Sequence, residues 1–132
     1  MTKLNKIKTY VNRGHRGLSQ HKKSLLTEIL PKYQISQEQI SMISQKDYQT
    51  TNLEIGFGSG EFIYQKALPN PDQLFIGCEI FTLGITKLLA QLAHQPLPNL
   101  LIWQGCGLAL LDLIKPQFFV YIFVLFADPW PK

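Results

Sequence analysis

Cysteine is scarce: Cys78 and Cys106 are the only two in 132 residues. They lie far apart, each among apolar neighbours, which argues against a disulfide framework or a zinc site and for a reduced, cytoplasmic protein. His15, His21 and His94 share no ligand spacing, so no metal is expected. Charge is thin, at 17%, but hydrophobic residues reach 45%, and that balance excludes a disordered chain. Long apolar runs are missing as well. The longest, "FFVYIFVLFA" from 118 to 127, is about half of what a bilayer-spanning helix needs. The start, "MTKLNKIKTYVNRG", has basic residues but no apolar segment of the secretory kind. Neither a membrane span nor export is expected, and the length suits a single core.

The charge that is present is polarised. Residues 1 to 33 hold Lys3, Lys6, Lys8, Arg13, Arg16, Lys22, Lys23 and Lys32 against Glu28 alone, and the remainder of the chain is net negative. A basic arm on a slightly acidic body suits contact with nucleic-acid phosphates, each of which releases condensed counterions when neutralised. A solvated arm that only aids solubility is the competing explanation. Residues 1 to about 18 have no sustained period and read as extended. Ser19 can cap a helix through "QHKKSLLTEIL", with Leu25, Leu26, Ile29 and Leu30 as its apolar stripe and Pro31 as its end. A polar stretch, "SQEQISMISQKDYQTT", leads to a first strand at Asn52 to Ile55.

From there strands and helices alternate. "QLFIGCE", "NLLIWQG" and "FFVYIFVLF" read as strands, and "GEFIYQKAL", "TLGITKLLAQLAH" and "LALLDLI" as helices between them. Strands that are continuous apolar runs, separated by helices, predict an α/β fold with a parallel sheet covered on both faces. Residues 1–33 are expected as a basic arm and leading helix, and 34–132 as the sheet domain. Trp103, inside a strand, is most simply a core residue.

In such a sheet ligands sit beyond the carboxyl ends of the strands. "LEIGFGSGEF" puts Gly56, Gly58 and Gly60 there, where glycine permits positive φ and close approach of a ligand. Glu79 stands 19 residues past Gly60, at the end of the second strand, where a carboxylate can accept from both hydroxyls of a ribose. The spacing is G-x-G-x-G rather than the G-x-G-x-x-G of dinucleotide sites, and Glu54 in front of it disfavours a pyrophosphate. A carboxylate there suits a cation, and S-adenosylmethionine carries both a sulfonium and an ammonium. A glycine turn that serves only strand–helix packing is the alternative.

With "LEIGFGSGEF", "FIGCEI" and "FADPWPK" in order, the chain resembles the tRNA (guanine-N7-)-methyltransferases, as does "IKTYVNRGHRGLSQHKKSLLTEILPKYQI" near the start. The resemblance implies a Rossmann-like class I methyltransferase fold, present here as its N-terminal part of about four parallel strands, in the order third, second, first, fourth. It also implies methyl transfer from S-adenosylmethionine to nitrogen 7 of guanine 46 in tRNA. Glu54, Gly56, Gly58, Gly60 and Glu79 match the family's cofactor residues. Asp128 matches its active-site acid, assigned to catalysis and to the cofactor, and Lys132 matches a substrate-contacting lysine. Cys106 and Gly107 stand where the family has an Asp-Ala pair near adenine, so the backbone amides of "GCG" take over part of that contact. Ala127 replaces the proline before Asp128.

Family members continue past the D-P-W-P-K motif, so the chain reads as C-terminally truncated. Its fourth strand is then an unprotected edge, and the chain alone is expected to associate and not to methylate tRNA. Trp130 is placed either on a base or in packing. A non-catalytic RNA-binding remnant, and a methyltransferase for another substrate, are the rival functions.

Overall fold

The computed structural model describes residues 18–43, 47–113 and 118–124. The arm up to residue 17 and the D-P-W-P-K stretch, with Asp128, Trp130 and Lys132, lie outside the described residues.

Four strands form one parallel sheet: β1 (Thr50–Ile55), β2 (Gln73–Glu79), β3 (Leu100–Gln104) and β4 (Tyr121–Val124), in the order β3-β2-β1-β4. This is the order implied by the family resemblance. Register is set by buried pairs: Leu53 lies opposite Ile76 on one side and Ile122 on the other, and Ile76 lies opposite Leu101. Between the strands run α3 (Glu61–Ala67), α4 (Thr82–His94) and α5 (Gly107–Leu113). One face of the sheet packs Ile63 of α3 and Ile85, Leu88, Leu89 and Leu92 of α4 against Phe75 and Ile102. The opposite face packs Leu110 of α5 and Ile40 against Leu53, Leu74, Ile76 and Cys78. Each buried side chain of this size contributes roughly 1.5–3 kcal/mol, so both faces are needed to hold so small a domain.

The leading helix, α1, spans residues 20–33 and corrects the sequence reading at Pro31. Ser19 caps it as expected, accepting from the Lys22 N–H at 3.3 Å. The helix does not stop at the proline. Gln20–Ser24 is α-helical, Leu25–Ile29 is a π turn, and Leu30–Tyr33 returns to α geometry with Pro31 in its first turn. A proline in an unbroken α-helix would leave a carbonyl unpaired and press its ring on the preceding turn. The π turn widens the ladder, with the Leu30 N–H donating to Leu25 O five residues back, and a new first turn begins where proline is tolerated. Tyr33 and Leu30 thereby stay on the core, and the Ile35 N–H reaches Ile102 O at 2.9 Å. Leu18, assigned to the extended arm, is buried.

A second correction concerns the polar stretch before β1, which holds a helix, α2 (Gln37–Met42). Ser36 and Gln39 form a capping box, with the Gln39 N–H donating to Ser36 Oγ at 3.2 Å and the Ser36 N–H to Gln39 Oε1 at 2.8 Å. The S-x-x-Q signal for it is visible in the sequence. β1 itself starts two residues earlier than expected, at Thr50.

At the amino ends of the strands, buried Asn99 points its amide at three carbonyls, those of Ala67, Asn70 and Gln73, at 2.9–3.0 Å. β4 ends the sheet, pairing with β1 alone among the described strands, and its Tyr121 and Ile122 are 57% and 43% exposed. An apolar edge with free N–H and C=O groups templates further strands. Sedimentation velocity of the 132-residue chain is therefore expected to show concentration-dependent association that Ile122→Lys reduces. A wild-type chain that stays monomeric at every concentration would refute this.

Candidate functional site

The carboxyl end of β1 opens into a tight loop. Gly56, Gly58 and Gly60 have φ values of 74°, 63° and 84°, in the left-handed region that side chains disfavour. Their surroundings differ. A Cβ on Gly56 or Gly58 would meet nothing within 4 Å, whereas one on Gly60 would lie 2.8 Å from the Leu88 side chain. The first two glycines thus border open space, and the third serves helix packing.

Glu79 braces this loop. Its Oε1 accepts from the Gly58 N–H at 2.7 Å, and its Oε2 accepts from the Ile80 and Phe81 N–H groups at 2.9 and 3.0 Å. The Gly56 and Phe57 N–H groups converge on the neighbouring Cys78 carbonyl at 2.8 and 3.2 Å. A carboxylate offers about four acceptor positions, and three are already taken. One acceptor position on Oε1 therefore stays open, and a second opens only if the Gly58 N–H gives way.

Gly84, on α4, was not singled out by sequence reasoning and fixes the loop from the other side. A Cβ there would lie 2.2 Å from the Gly58 carbonyl oxygen. An isolated glycine in a helical pattern is the available signal, since it costs about 1 kcal/mol relative to alanine unless packing requires it. Gly84→Ala is accordingly expected to lower the melting temperature, because the backbone clash, roughly 1–3 kcal/mol, exceeds the gain in helix propensity. A rise in a thermal scan would show that the loop yields freely.

Glu54 lies on the face of β1 covered by α3, between Gly77 and Phe123 in the sheet register. It is 2% exposed, and neither carboxylate oxygen has a hydrogen-bond partner. Burial pushes its pKa up to about 7, the Glu79 carboxylate adds to the rise, and the nearby Ile63 N–H opposes it. An orphaned buried acid next to a second acid is costly when ionised, unless a cation arrives.

Beyond β2 and β3, Ile55, Gly56, Cys78, Glu79, Ile80 and Cys106 line a cavity of about 200 Å³. Cys106 is half-buried, and its carbonyl accepts from the Leu110 N–H in the first turn of α5. Gly107 follows because a Cβ there would press on Ile55 Cγ2 at 2.7 Å. A larger cavity of about 390 Å³, lined by Ser59, Tyr64, Lys87 and Gln91 among others, runs between α3 and α4 rather than beyond the strand ends. The fold thus gathers Glu54, Gly56, Gly58, Gly60, Glu79 and Cys106 at one end of the sheet. Trp103 is half-buried against the α5-side core, and its buried Nε1–H has no partner. Among the described residues no group of three or more His, Cys, Asp or Glu could hold a metal, and no helix is long and apolar enough to cross a membrane.

Residues 48–132 match the model of a family described as "Putative methyltransferase". The chain belongs to this methyltransferase family. It is 44% identical over 80 residues to the tRNA (guanine-N(7)-)-methyltransferase of Neorickettsia sennetsu, covering 61% of this chain and 37% of that one. It is 35% identical over 131 residues to the tRNA (guanine-N(7)-)-methyltransferase of Hyphomonas neptunium, covering 96% of this chain and 59% of that one. The chain therefore spans less than two thirds of the length of these methyltransferases. A solved structure of an antibiotic-related methyltransferase superposes with a TM-score of 0.59 at 20% identity, over 74% of this chain and 49% of that one. The fold is the Rossmann-like class I methyltransferase fold expected from the sequence.

Proposed function

We propose that the glycine loop, Glu54 and Glu79 bind S-adenosylmethionine, and that the protein transfers its methyl group to nitrogen 7 of a guanine, guanine 46, in tRNA. The observation that carries the cofactor reading is Glu54, a buried carboxylate without a partner directly behind a loop whose Gly56 and Gly58 leave open space. A cationic ligand there lets the acid ionise, and Glu79 has one acceptor position left for a ribose hydroxyl. When bound, S-adenosylmethionine supplies an electrophilic methyl on a sulfonium.

The tRNA reading draws on the relatives, which are named for that substrate, and on the basic surplus of residues 1–33. Guanine nitrogen 7 has an in-plane lone pair and no proton, so the protein needs no general base. Its task is to hold donor and acceptor in line and to offset the charge that moves onto the base. Asp128, from the D-P-W-P-K motif, is assigned to that charge and to the guanine edge, and Lys132 to the tRNA. Cys106 is assigned to the adenine end of the cavity.

The test is transfer of radiolabelled methyl to unmodified tRNA, with chain cleavage at 7-methylguanine locating the product. It is run on the 132-residue chain and on a fusion in which the remaining length of the Hyphomonas neptunium relative follows Lys132. The fusion is expected to label tRNA at nitrogen 7, with Asp128→Ala abolishing transfer more than cofactor binding, and the chain alone to bind cofactor without labelling. Salt-dependent tRNA binding without S-adenosylmethionine binding in either protein would instead support an RNA-binding module. Label on another acceptor would overturn the substrate.

A further inference from the structure

The two cysteines, distant in sequence, line the same small cavity. Cys78 is registered directly opposite Ile55, and Gly107 presses on the Ile55 side chain at a distance only glycine allows. One residue before Gly107, and one residue after Gly105, whose N–H is bonded to the Glu79 carbonyl at 3.1 Å, the chain must cross the end of β2. That crossing residue is Cys106. Both side chains line the same cavity, and the Cys106 thiol lies close enough to contribute to the rise of the Cys78 pKa. Both are free thiols. A disulfide needs Cα atoms about 4.4–6.8 Å apart, a span compatible with a residue seated over the end of the neighbouring strand.

We propose that Cys78 and Cys106 are a redox-active pair whose disulfide closes the cavity beyond β2 and β3. The oxidant class is a peroxide. The half-buried Cys106 sulfur attacks the O–O bond, forming S–O and releasing water, and becomes a sulfenic acid. The Cys78 sulfur then attacks the Cys106 sulfur: S–S forms, S–O breaks, and the hydroxyl leaves as a second water with the Cys78 proton. One peroxide is reduced to two waters and two thiols are oxidised. Burial is the first cause that pushes the Cys78 thiol up to about 12, so Cys78 is the second to react and its step is the slower one. The disulfide would tie the start of α5 to the end of β2, across the space where a ligand enters.

The pair itself does not depend on the cofactor reading; its effect on S-adenosylmethionine rests on that reading. The experiment treats the 132-residue chain with equimolar hydrogen peroxide and follows intact mass, mapped peptides and S-adenosylmethionine affinity by calorimetry. The expected result is a loss of two hydrogens, a peptide joining Cys78 to Cys106, and affinity weakened at least tenfold, with recovery in dithiothreitol. In Cys78→Ser the reaction should stop at a sulfenic acid on Cys106 that dimedone traps. Oxidation of Cys106 with the Cys78 thiol left free in the wild type, or a disulfide without change in affinity, would overturn the proposal. A reduced chain that binds no S-adenosylmethionine would count against the cofactor reading, and the mapped peptide would then decide the pair.

Discussion

Glu79→Ala is expected to lower S-adenosylmethionine affinity by about two orders of magnitude or more. The carboxylate takes the N–H groups of Gly58, Ile80 and Phe81 and has one position left for a ribose hydroxyl. Hydrogen bonds to a charged group contribute roughly 1.5–3 kcal/mol each, and removing the acceptor leaves its donors unpaired as well. The substitution therefore acts twice, on the ligand and on the loop that receives it. Glu79→Gln separates the two poorly, because its amide nitrogen would face N–H donors and repel them. Calorimetry should show both variants crippled. Affinity within a factor of three of wild type in Glu79→Ala would remove Glu79 from the site.

Glu54→Gln is expected to raise stability at pH 8 while weakening binding of the cationic cofactor. The folded-state pKa of Glu54, about 7, lies above the ordinary carboxyl value of 4.5. The native chain thus holds a proton that the unfolded chain releases between these values, so this group's contribution is most favourable below about pH 4.5 and declines as pH rises to 7. The decline amounts to about 3 kcal/mol, and above pH 7 it is complete. Glutamine abolishes it. Denaturant melts of both proteins at pH 5 and pH 8 should show the variant gaining relative to wild type at the higher pH. The same variant should lose S-adenosylmethionine affinity, since the counter-charge for the ligand is gone. Parallel pH profiles would show that Glu54 ionises in the fold as readily as in the unfolded chain, and unchanged binding would show that it does not face the ligand.

Much of the sheet was legible because a buried parallel strand is a continuous apolar run. Gln73–Glu79 and Thr82–His94 stand where the sequence reading put them. The glycine turn was legible for a different reason, since glycine takes positive φ without steric cost and Gly56, Gly58 and Gly60 all do so. What escaped was partly local geometry and partly contact between distant segments. The helix through Pro31 depends on a π turn that a local propensity rule does not anticipate. α2 buries little beyond Ile40 on its inner side, so its pattern looked polar, although its capping box was readable. The role of Gly84 exists only once α4 lies against the Gly58 carbonyl, and that Glu79 braces the loop is visible only after β1 and β2 are paired.

Asn99 gives the sheet two unlike ends. Its buried amide gathers the carbonyls of Ala67, Asn70 and Gln73, so the turn after α3 and the starts of β2 and β3 form one knot. No comparable side-chain clamp joins β3 to β1 among the described residues at the other end, where left-handed glycines and one carboxylate hold the chain. The amino end is thus tied by one amide that donates to carbonyls, and the carboxyl end by one carboxylate that accepts from N–H groups. Loss of the carboxylate at one end therefore leaves the amide knot at the other in place.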